Sequence, residues 1–193
     1  MIDFLSIFLL LLFLPIPFVL LVAHQLISFL RRVGKNSYIF LIFIWLILGI
    51  LVLFYRREIF MYRLAFPLLG RILGWVLALG GVVLAWAAQR QLTLPVLAGF
   101  PELMPRTHRP KLATSRLYAR MRHPRYVGYF LILDGWFLVS GYVVFPIVAL
   151  LLLLVIPLEE RELRQRFGND YAVYMQNVPA FFPRLRAWSP RKR

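Results

Sequence analysis

Two short clusters of ionisable side chains, far apart along the chain, are the best candidates for chemistry in this sequence. One is the basic and aromatic run Arg122–Tyr126, which includes His123 and Pro124, and the other is the acidic pair Glu159 and Glu160. An arginine and the free N–H groups of a helix N-terminus suit a carboxylate, whereas a glutamate suits an amine. A ligand that carries both groups would use both clusters, provided that the fold brings them together.

Four tyrosines near these clusters add faces on which an aromatic base or a cation can stack: Tyr118, Tyr126, Tyr171 and Tyr174. A molecule with a carboxylate, an amine, a purine and a sulfonium would use all of these groups, and S-adenosylmethionine has this composition. Other zwitterions would suit the same residues, so the residues by themselves leave the ligand open.

Long apolar runs are the elements that must position these side chains. The 193 residues are 61% hydrophobic and 16% charged, whereas soluble domains are about 45–50% apolar and about 25% charged. Phe4–Leu30, Ser37–Tyr55 and Leu64–Ala88 are each long enough for a membrane-crossing helix, which needs about 20 apolar residues. Pro15 and Pro17 lie inside the first run and should kink it. This composition excludes an ordinary soluble domain and a disordered tail.

A further apolar stretch, from Tyr126 to Leu158, is interrupted at Ser140 and Gly141. A Ser-Gly pair is typical of a turn, and Pro146 suits the first turn of a following helix. The pattern predicts a helical hairpin, with a re-entrant pair as the alternative, in an all-α integral membrane protein of about five transmembrane helices. Both ends of a hairpin emerge on one face, so the basic and acidic clusters should meet there.

The chain divides into three N-terminal transmembrane helices over residues 1–88 and a catalytic region over residues 89–193. The catalytic region comprises a polar, proline-rich loop, Gln89–Arg125, the hairpin, a charged C-terminal helix and a basic tail. The absence of cysteine excludes disulfides, thiolate catalysis and Cys-ligated metals. His24, His108 and His123 lack the spacing of metal ligands, so no metal is expected.

The charge balance is strongly basic, with 23 Lys and Arg against 8 Asp and Glu. Because the basic residues lie between apolar runs and no nucleic-acid-binding motif accompanies them, anionic lipid headgroups are the expected partners and nucleic acid is not. Five spans with the N-terminus outside would place every Lys and Arg on the cytoplasmic side except those of residues 56–71. The pocket formed by the two clusters would then face the cytoplasm.

The C-terminal half also carries a longer pattern of residues, Arg122-His123-Pro124-x-Tyr126-x-Gly128, Gly135, Glu159-Glu160-x-x-Leu163-x-x-x-Phe167-Gly168-x-x-Tyr171-x-x-Tyr174, Val178-Pro179 and Pro183. In order and spacing, residues 112–185 resemble the membrane isoprenylcysteine carboxyl methyltransferase and phospholipid methyltransferase superfamily. The resemblance implies a multi-pass enzyme that binds S-adenosylmethionine on the cytosolic side and methylates a lipophilic acceptor that reaches it from the bilayer.

By this resemblance and by their chemistry, seven residues form the expected cofactor-binding set: Tyr118, Arg122, His123, Pro124, Tyr126, Glu159 and Glu160. His123 and Glu160 are the expected catalytic residues. The alternatives are an aminophospholipid N-methyltransferase, an NADPH-dependent membrane sterol or steroid reductase, and a membrane protein without catalytic activity.

Two positions depart from the superfamily pattern. Many relatives have glycine where this chain has Arg116, which would be strained if the backbone there needs a positive φ. Isoprenylcysteine enzymes usually carry arginine where this chain has Val155, and its absence disfavours an acceptor carboxylate.

Three further polar features of the sequence lead to predictions of their own. Asp134, about 15 Å along a helix from Pro124, would lie near the middle of the membrane, where an ionisable group is a functional candidate, here for substrate contact. His24 and its neighbour Gln25 are expected at the membrane interface. The Glu160–Arg164 and Glu162–Arg166 pairs have the i,i+4 spacing of an exposed helix.

Overall fold

The structure is a computed structural model that describes residues 1–93, 111–186 and 188, and these residues form helices without strands. The α-helices are α1 Ile2–Phe13, α2 Pro15–Gln25, α3 Ile27–Val33, α4 Ser37–Phe54, α5 Arg56–Ile59, α6 Leu68–Gln89, α7 Pro124–Ser140, α8 Val144–Phe167 and α9 Asn169–Asn177. Short 3₁₀ turns occupy Gly34–Asn36 and Arg116–Ala119. Much of the predicted polar loop, including His108, and the end of the basic tail lie outside the described residues.

Three segments of the described chain are long and apolar enough to cross a membrane: Ile2–Gln25, Ser37–Phe54 and Leu68–Gln89. The first is divided at Leu14, since α1 ends at Phe13 and α2 begins at Pro15, but Leu14 itself keeps helical dihedral angles. The kink at the two prolines therefore stays a prediction. The described residues are thus helical, as predicted, and contain three candidate membrane spans, while the layout of about five spans stays a prediction.

The predicted hairpin is confirmed. Helix α7 ends at Ser140, and the left-handed φ of 82° at Gly141 reverses the chain before α8 begins at Val144. A Cβ at Gly141 would collide with the Leu64 carbonyl oxygen, so the turn favours glycine both by its φ and by its close packing. The Arg63 Nε donates a 2.8 Å hydrogen bond to the Ser140 carbonyl. The Arg63 side chain therefore lies at the turn of the hairpin.

Helices α6 and α7 approach closely along a stripe of small residues. Gly74, Ala78, Gly81 and Ala85 are buried at heptad-like spacing on α6. A Cβ added to Gly81 would lie 2.6 Å from the Gly128 carbonyl oxygen, and one added to Gly135 would lie 2.6 Å from the Ala78 nitrogen. Small residues let helix backbones approach in this way in membranes, where packing drives helix association. This contact fixes the hairpin on the N-terminal helices.

Adjacent glycines on α6 provide a matched test of this packing. Gly81→Ala is expected to destabilise the protein by about 1–3 kcal/mol, because the new methyl group meets backbone atoms of α7. Gly80→Ala has no atom within 4 Å of the new methyl group and should be neutral, or stabilising by up to about 1 kcal/mol through helix propensity. Thermal unfolding of the two variants in detergent compares them, and an equal loss in both would contradict the packing argument.

Candidate functional site

The ends of the hairpin meet as predicted, at a buried cluster centred on Glu160. The Glu160 Oε1 accepts hydrogen bonds from the Arg122 Nε at 3.0 Å and from the Arg122 Nη2 at 2.8 Å. The His123 Nε2 lies 2.9 Å from the same oxygen. Because an ionised carboxylate only accepts hydrogen bonds, this arrangement places a proton on the His123 Nε2. We call Arg122, His123 and Glu160 the Glu160 cluster.

The same cluster ties down the segment that follows α9. The Arg122 Nη1 donates to the carbonyl oxygens of Val178 at 2.7 Å and Met175 at 3.1 Å. The backbone N–H groups of Arg122 and His123 donate to the Pro179 and Ala180 carbonyls. The Arg122 guanidinium is therefore occupied by protein groups, and its contribution to the site is to hold the hairpin ends and the C-terminal segment together.

Electrostatics favour the ionised form of Glu160. Burial raises the pKa of this carboxyl, but the hydrogen bonds from His123 and Arg122 and the Arg122 charge outweigh burial, so the pKa is lowered from its ordinary value. Glu160 therefore stays an anion at neutral pH, which the neighbouring arginine needs as its counter-charge.

The other glutamate, Glu159, lies in a different environment. Its Oε2 accepts a 2.7 Å hydrogen bond from the Tyr126 hydroxyl, and the residue is only partly buried. The Arg125 guanidinium carbon lies 5.6 Å from the centre of the Tyr126 ring. Among the described residues the Glu159 Oε1 has no partner, so Glu159 presents a carboxylate oxygen beside a cation and an aromatic ring.

A cavity of about 880 Å³ joins this region to the N-terminal helices. One wall, which we call the ionic wall, carries charged and aromatic residues from the two ends of the hairpin: Arg122, His123, Arg125, Tyr126 and Glu159. A second wall, which we call the apolar wall, comes from α2 and α4: Val19, Leu20, Ala23, Leu41, Ile42, Trp45 and Leu46. The cavity therefore offers ionic and apolar surroundings to its contents at the same time.

Tyrosines from the 3₁₀ turn and α9 complete the cavity. The Tyr174 hydroxyl donates a 2.6 Å hydrogen bond to the Tyr118 carbonyl oxygen, and burial raises the pKa of Tyr118 to about 12. The hydroxyl of Tyr171 is buried without a hydrogen-bond partner among the described residues. Tyr171 and Tyr174 both line the cavity.

The structure brings most of the predicted cofactor-binding residues together, but not all in the expected role. Tyr118, Arg122, His123, Tyr126 and Glu159 line the cavity. Glu160 does not line it, because its carboxylate faces Arg122 and His123 instead. Pro124 begins α7 and is buried there, where its fixed φ suits the first helical position.

Asp134 is not brought to this cavity. It is exposed on the outer side of α7, whereas its neighbours Leu133 and Gly135 are buried. The sequence predicts a helix through Asp134, which the structure confirms, but it does not give the direction in which the side chain points. The structure gives no contact between Asp134 and the ionic or the apolar wall.

Several residues of this region were not predicted in these positions. Arg125 and Arg166 line the cavity, and so does His24, which was expected at the membrane interface. Glu160 and Glu162 are both buried, at 8% exposure, so the i,i+4 pairs do not mark an exposed helix. The i,i+4 spacing of Glu160 with Arg164 and of Glu162 with Arg166 correctly predicted that these residues pair, but it did not predict that the glutamates are buried.

Arg116 has a φ of 53°, the left-handed conformation that glycine adopts without strain. A non-glycine residue in this conformation costs about 1–2 kcal/mol. Arg116→Gly is therefore expected to leave the thermal unfolding midpoint unchanged or to raise it. The control is Arg120→Gly, an exposed position of ordinary φ in the same turn, which should lower the midpoint. Equal losses in the two variants would show that Arg116 is not strained.

Comparison with known proteins finds a partial match to a methyltransferase. The chain is 35% identical over 82 residues to Methanethiol S-methyltransferase 1 of Bradyrhizobium diazoefficiens, and the match covers 40% of this chain. It covers 28% of that relative, so the chain spans little more than a quarter of the relative's length. No family model matches the chain, and no solved structure matches it. With the three apolar helices, the similarity supports a membrane methyltransferase.

Proposed function

We propose that this chain is an S-adenosylmethionine-dependent methyltransferase that acts on a lipophilic acceptor at the membrane, and that the acceptor is a thiol. The observation that carries the proposal is the single cavity in which an ionic, aromatic wall faces the same space as an apolar wall. A methyl donor with charged groups and an acceptor from the bilayer need these two environments in contact.

The ionic wall fits the donor group by group. Glu159 has a carboxylate oxygen for the amine, and Arg125 is the cation for the carboxylate. Beside the ionic wall, Tyr171 and Tyr174 also line the cavity, and their rings suit the purine. When it is bound, S-adenosylmethionine supplies a methyl group that is already activated by the sulfonium.

The protein's own contribution is alignment and exclusion of water. The Glu160 cluster fixes the ionic wall, and the helices of the apolar wall hold the acceptor beside it. Holding two reactants in reactive geometry can contribute about 7–11 kcal/mol toward the barrier. A rigid, partly buried site also strengthens the interactions between its charges and the donor.

The residue at position 155 disfavours an acceptor carboxylate. Val155, where isoprenylcysteine enzymes usually carry arginine, is completely buried in the apolar core. The site therefore lacks the cation expected at that position for an acceptor carboxylate. The name of the relative, a methanethiol S-methyltransferase, gives independent support to a thiol. The isoprenylcysteine-like carboxylate and the aminophospholipid are accordingly the competing acceptors.

We further propose that α7 and α8 cross the membrane with the three candidate spans, giving five spans. Helix α8 is apolar through Leu158 and charged from Glu159 onward, so its second part lies outside the apolar layer. Arg63 at the hairpin turn and the Glu160 cluster then lie on opposite sides of the membrane. The positive-inside rule supports a cytoplasmic position for the cavity, because most Lys and Arg belong to that side.

A transfer assay tests this function. Purified protein in lipid nanodiscs receives methyl-labelled S-adenosylmethionine and, in separate reactions, butanethiol, a farnesylcysteine and phosphatidylethanolamine. We expect label in the butyl methyl sulfide and little in the other two products. Label in the farnesylcysteine ester or in the lipid amine would show that the acceptor is a carboxylate or an amine and not a thiol. Binding of NADPH instead of the methyl donor would overturn the proposed class of enzyme.

A further inference from the structure

A second histidine–glutamate contact lies beside the cavity, outside the Glu160 cluster. The His24 Nδ1 on α2 lies 3.4 Å from the Glu162 Oε2 on α8, and the two side chains are 13% and 10% exposed. The Glu162 Oε1 also pairs with the Arg31 Nη2 at 3.2 Å and with the Arg166 Nη2 at 2.6 Å. Two guanidinium groups thus hold the Glu162 carboxylate in place beside the imidazole.

His24 lines the cavity next to the apolar wall, which would hold the acceptor. The cavity is also lined by three residues close to His24 in the sequence: Leu20, Ala23 and Ile27. The contact with Glu162 uses Nδ1, and Nε2 has no partner among the described residues. His123 differs, because its Nε2 is bonded to Glu160 and its ring lies against Tyr126 and Phe181.

We propose that His24, oriented by Glu162, is the general base that accepts the proton of a thiol acceptor. This inference rests on the proposed function. The S–H bond breaks and its proton passes to the His24 Nε2, while the sulfur electron pair forms a bond to the donor's methyl carbon. The bond between that carbon and the sulfonium breaks, and its electron pair leaves the donor as a neutral thioether. The proton then passes from His24 to water.

The pairing of an imidazole with a fixed carboxylate suits this role. A carboxylate at Nδ1 stabilises the imidazolium that forms when Nε2 takes up the proton, and it also sets the orientation of the ring. The charged and titratable groups that face His24 are Glu162, Arg31 and Arg166, and Tyr38 on α4 lines the same cavity. General-base assistance of this kind typically contributes about 100- to 10,000-fold to a rate.

The test uses His24→Asn, whose side-chain amide can keep the contact with Glu162 but cannot act as a base. We expect transfer to butanethiol to fall by about 100-fold near pH 7. Transfer to thiophenol, which ionises without help at that pH, should change less than about threefold, since the base contributes only to proton removal. The control is Gln25→Ala, an exposed neighbour outside the cavity, for which both rates should match the wild type.

A second measurement needs no methyl donor. The ¹³C chemical shift of labelled butanethiol bound to the protein reports the ionised fraction of the thiol, which should be larger in the wild type than in His24→Asn. Equal losses with both thiols, or equal ionised fractions, would overturn the assignment of His24 while leaving the proposed function in place. A wild-type protein that methylates neither thiol would overturn both.

Discussion

Glu159→Gln is expected to weaken binding of S-adenosylmethionine by about 10- to 100-fold without loss of the fold. Hydrogen bonds to charged groups contribute about 1.5–3 kcal/mol, and each 1.4 kcal/mol is tenfold in affinity. Glutamine keeps an oxygen for the Tyr126 hydroxyl, which now donates to Glu159 at 2.7 Å. The change therefore removes the charge that faces the cavity and preserves the internal contact.

Calorimetric titration with S-adenosylmethionine and with S-adenosylhomocysteine measures this effect. Thermal unfolding of the same sample verifies that the variant is folded, and the midpoint should stay close to that of the wild type. Gln25→Ala, an exposed change on α2, is the control for affinity. Wild-type affinity in a folded Glu159→Gln variant would exclude Glu159 from the donor site.

Glu160→Ala is expected to destabilise the fold, and this effect is larger in free energy than the loss of affinity in Glu159→Gln. Removing one partner from a buried ion pair costs about 3–5 kcal/mol, because the other charge is left without compensation. Here Arg122 would keep its carbonyl contacts to Val178 and Met175 but lose both bonds to the carboxylate. Denaturation in mixed micelles measures the loss. Arg164→Ala is the control, because Arg164 is 57% exposed and lies 3.8 Å from Glu160, and it should cost less than about 1 kcal/mol.

The pH dependence of stability follows from the same group. The pKa of Glu160 is lowered in the folded protein, so its stabilising contribution is complete above the ordinary glutamate pKa and is lost as the pH falls through the lowered value. The wild type should therefore lose stability in acid more steeply than Glu160→Ala. Parallel acid unfolding curves for the two proteins, or a loss in Glu160→Ala no larger than that in Arg164→Ala, would show that the cluster does not stabilise the fold.

The sequence predicts the hairpin and the meeting of its ends because both depend on local signals. Ser140-Gly141 and Pro146 locate the turn, and connectivity then places His123 near Glu160 on one face. The roles of the two adjacent glutamates could not be predicted, because residues one position apart on a helix differ by about 100° in direction. That difference turns Glu159 toward the cavity and Glu160 toward Arg122.

Contacts between elements that are far apart in the chain could not be predicted from the sequence either. His24 and Glu162 are separated by most of the chain, and only the packing of α2 against α8 brings them together. The small-residue stripe of α6 could have been found from the spacing of Gly74, Ala78, Gly81 and Ala85, which is a known signal of close helix packing in membranes. For Asp134, the sequence predicted a position within the helix that became α7, but it did not predict that the side chain points away from the cavity.

We propose that the cavity between the hairpin ends and helices α2 and α4 holds the methyl donor. Ultraviolet cross-linking of methyl-labelled S-adenosylmethionine to the wild-type protein, followed by peptide mapping, tests it directly. We predict label in the peptides that contain Tyr118–Tyr126 or Tyr171–Tyr174, competed by S-adenosylhomocysteine and reduced in Glu159→Gln. Competed label in α1, in α6 or at the hairpin turn, or no specific label in folded protein, would contradict the account.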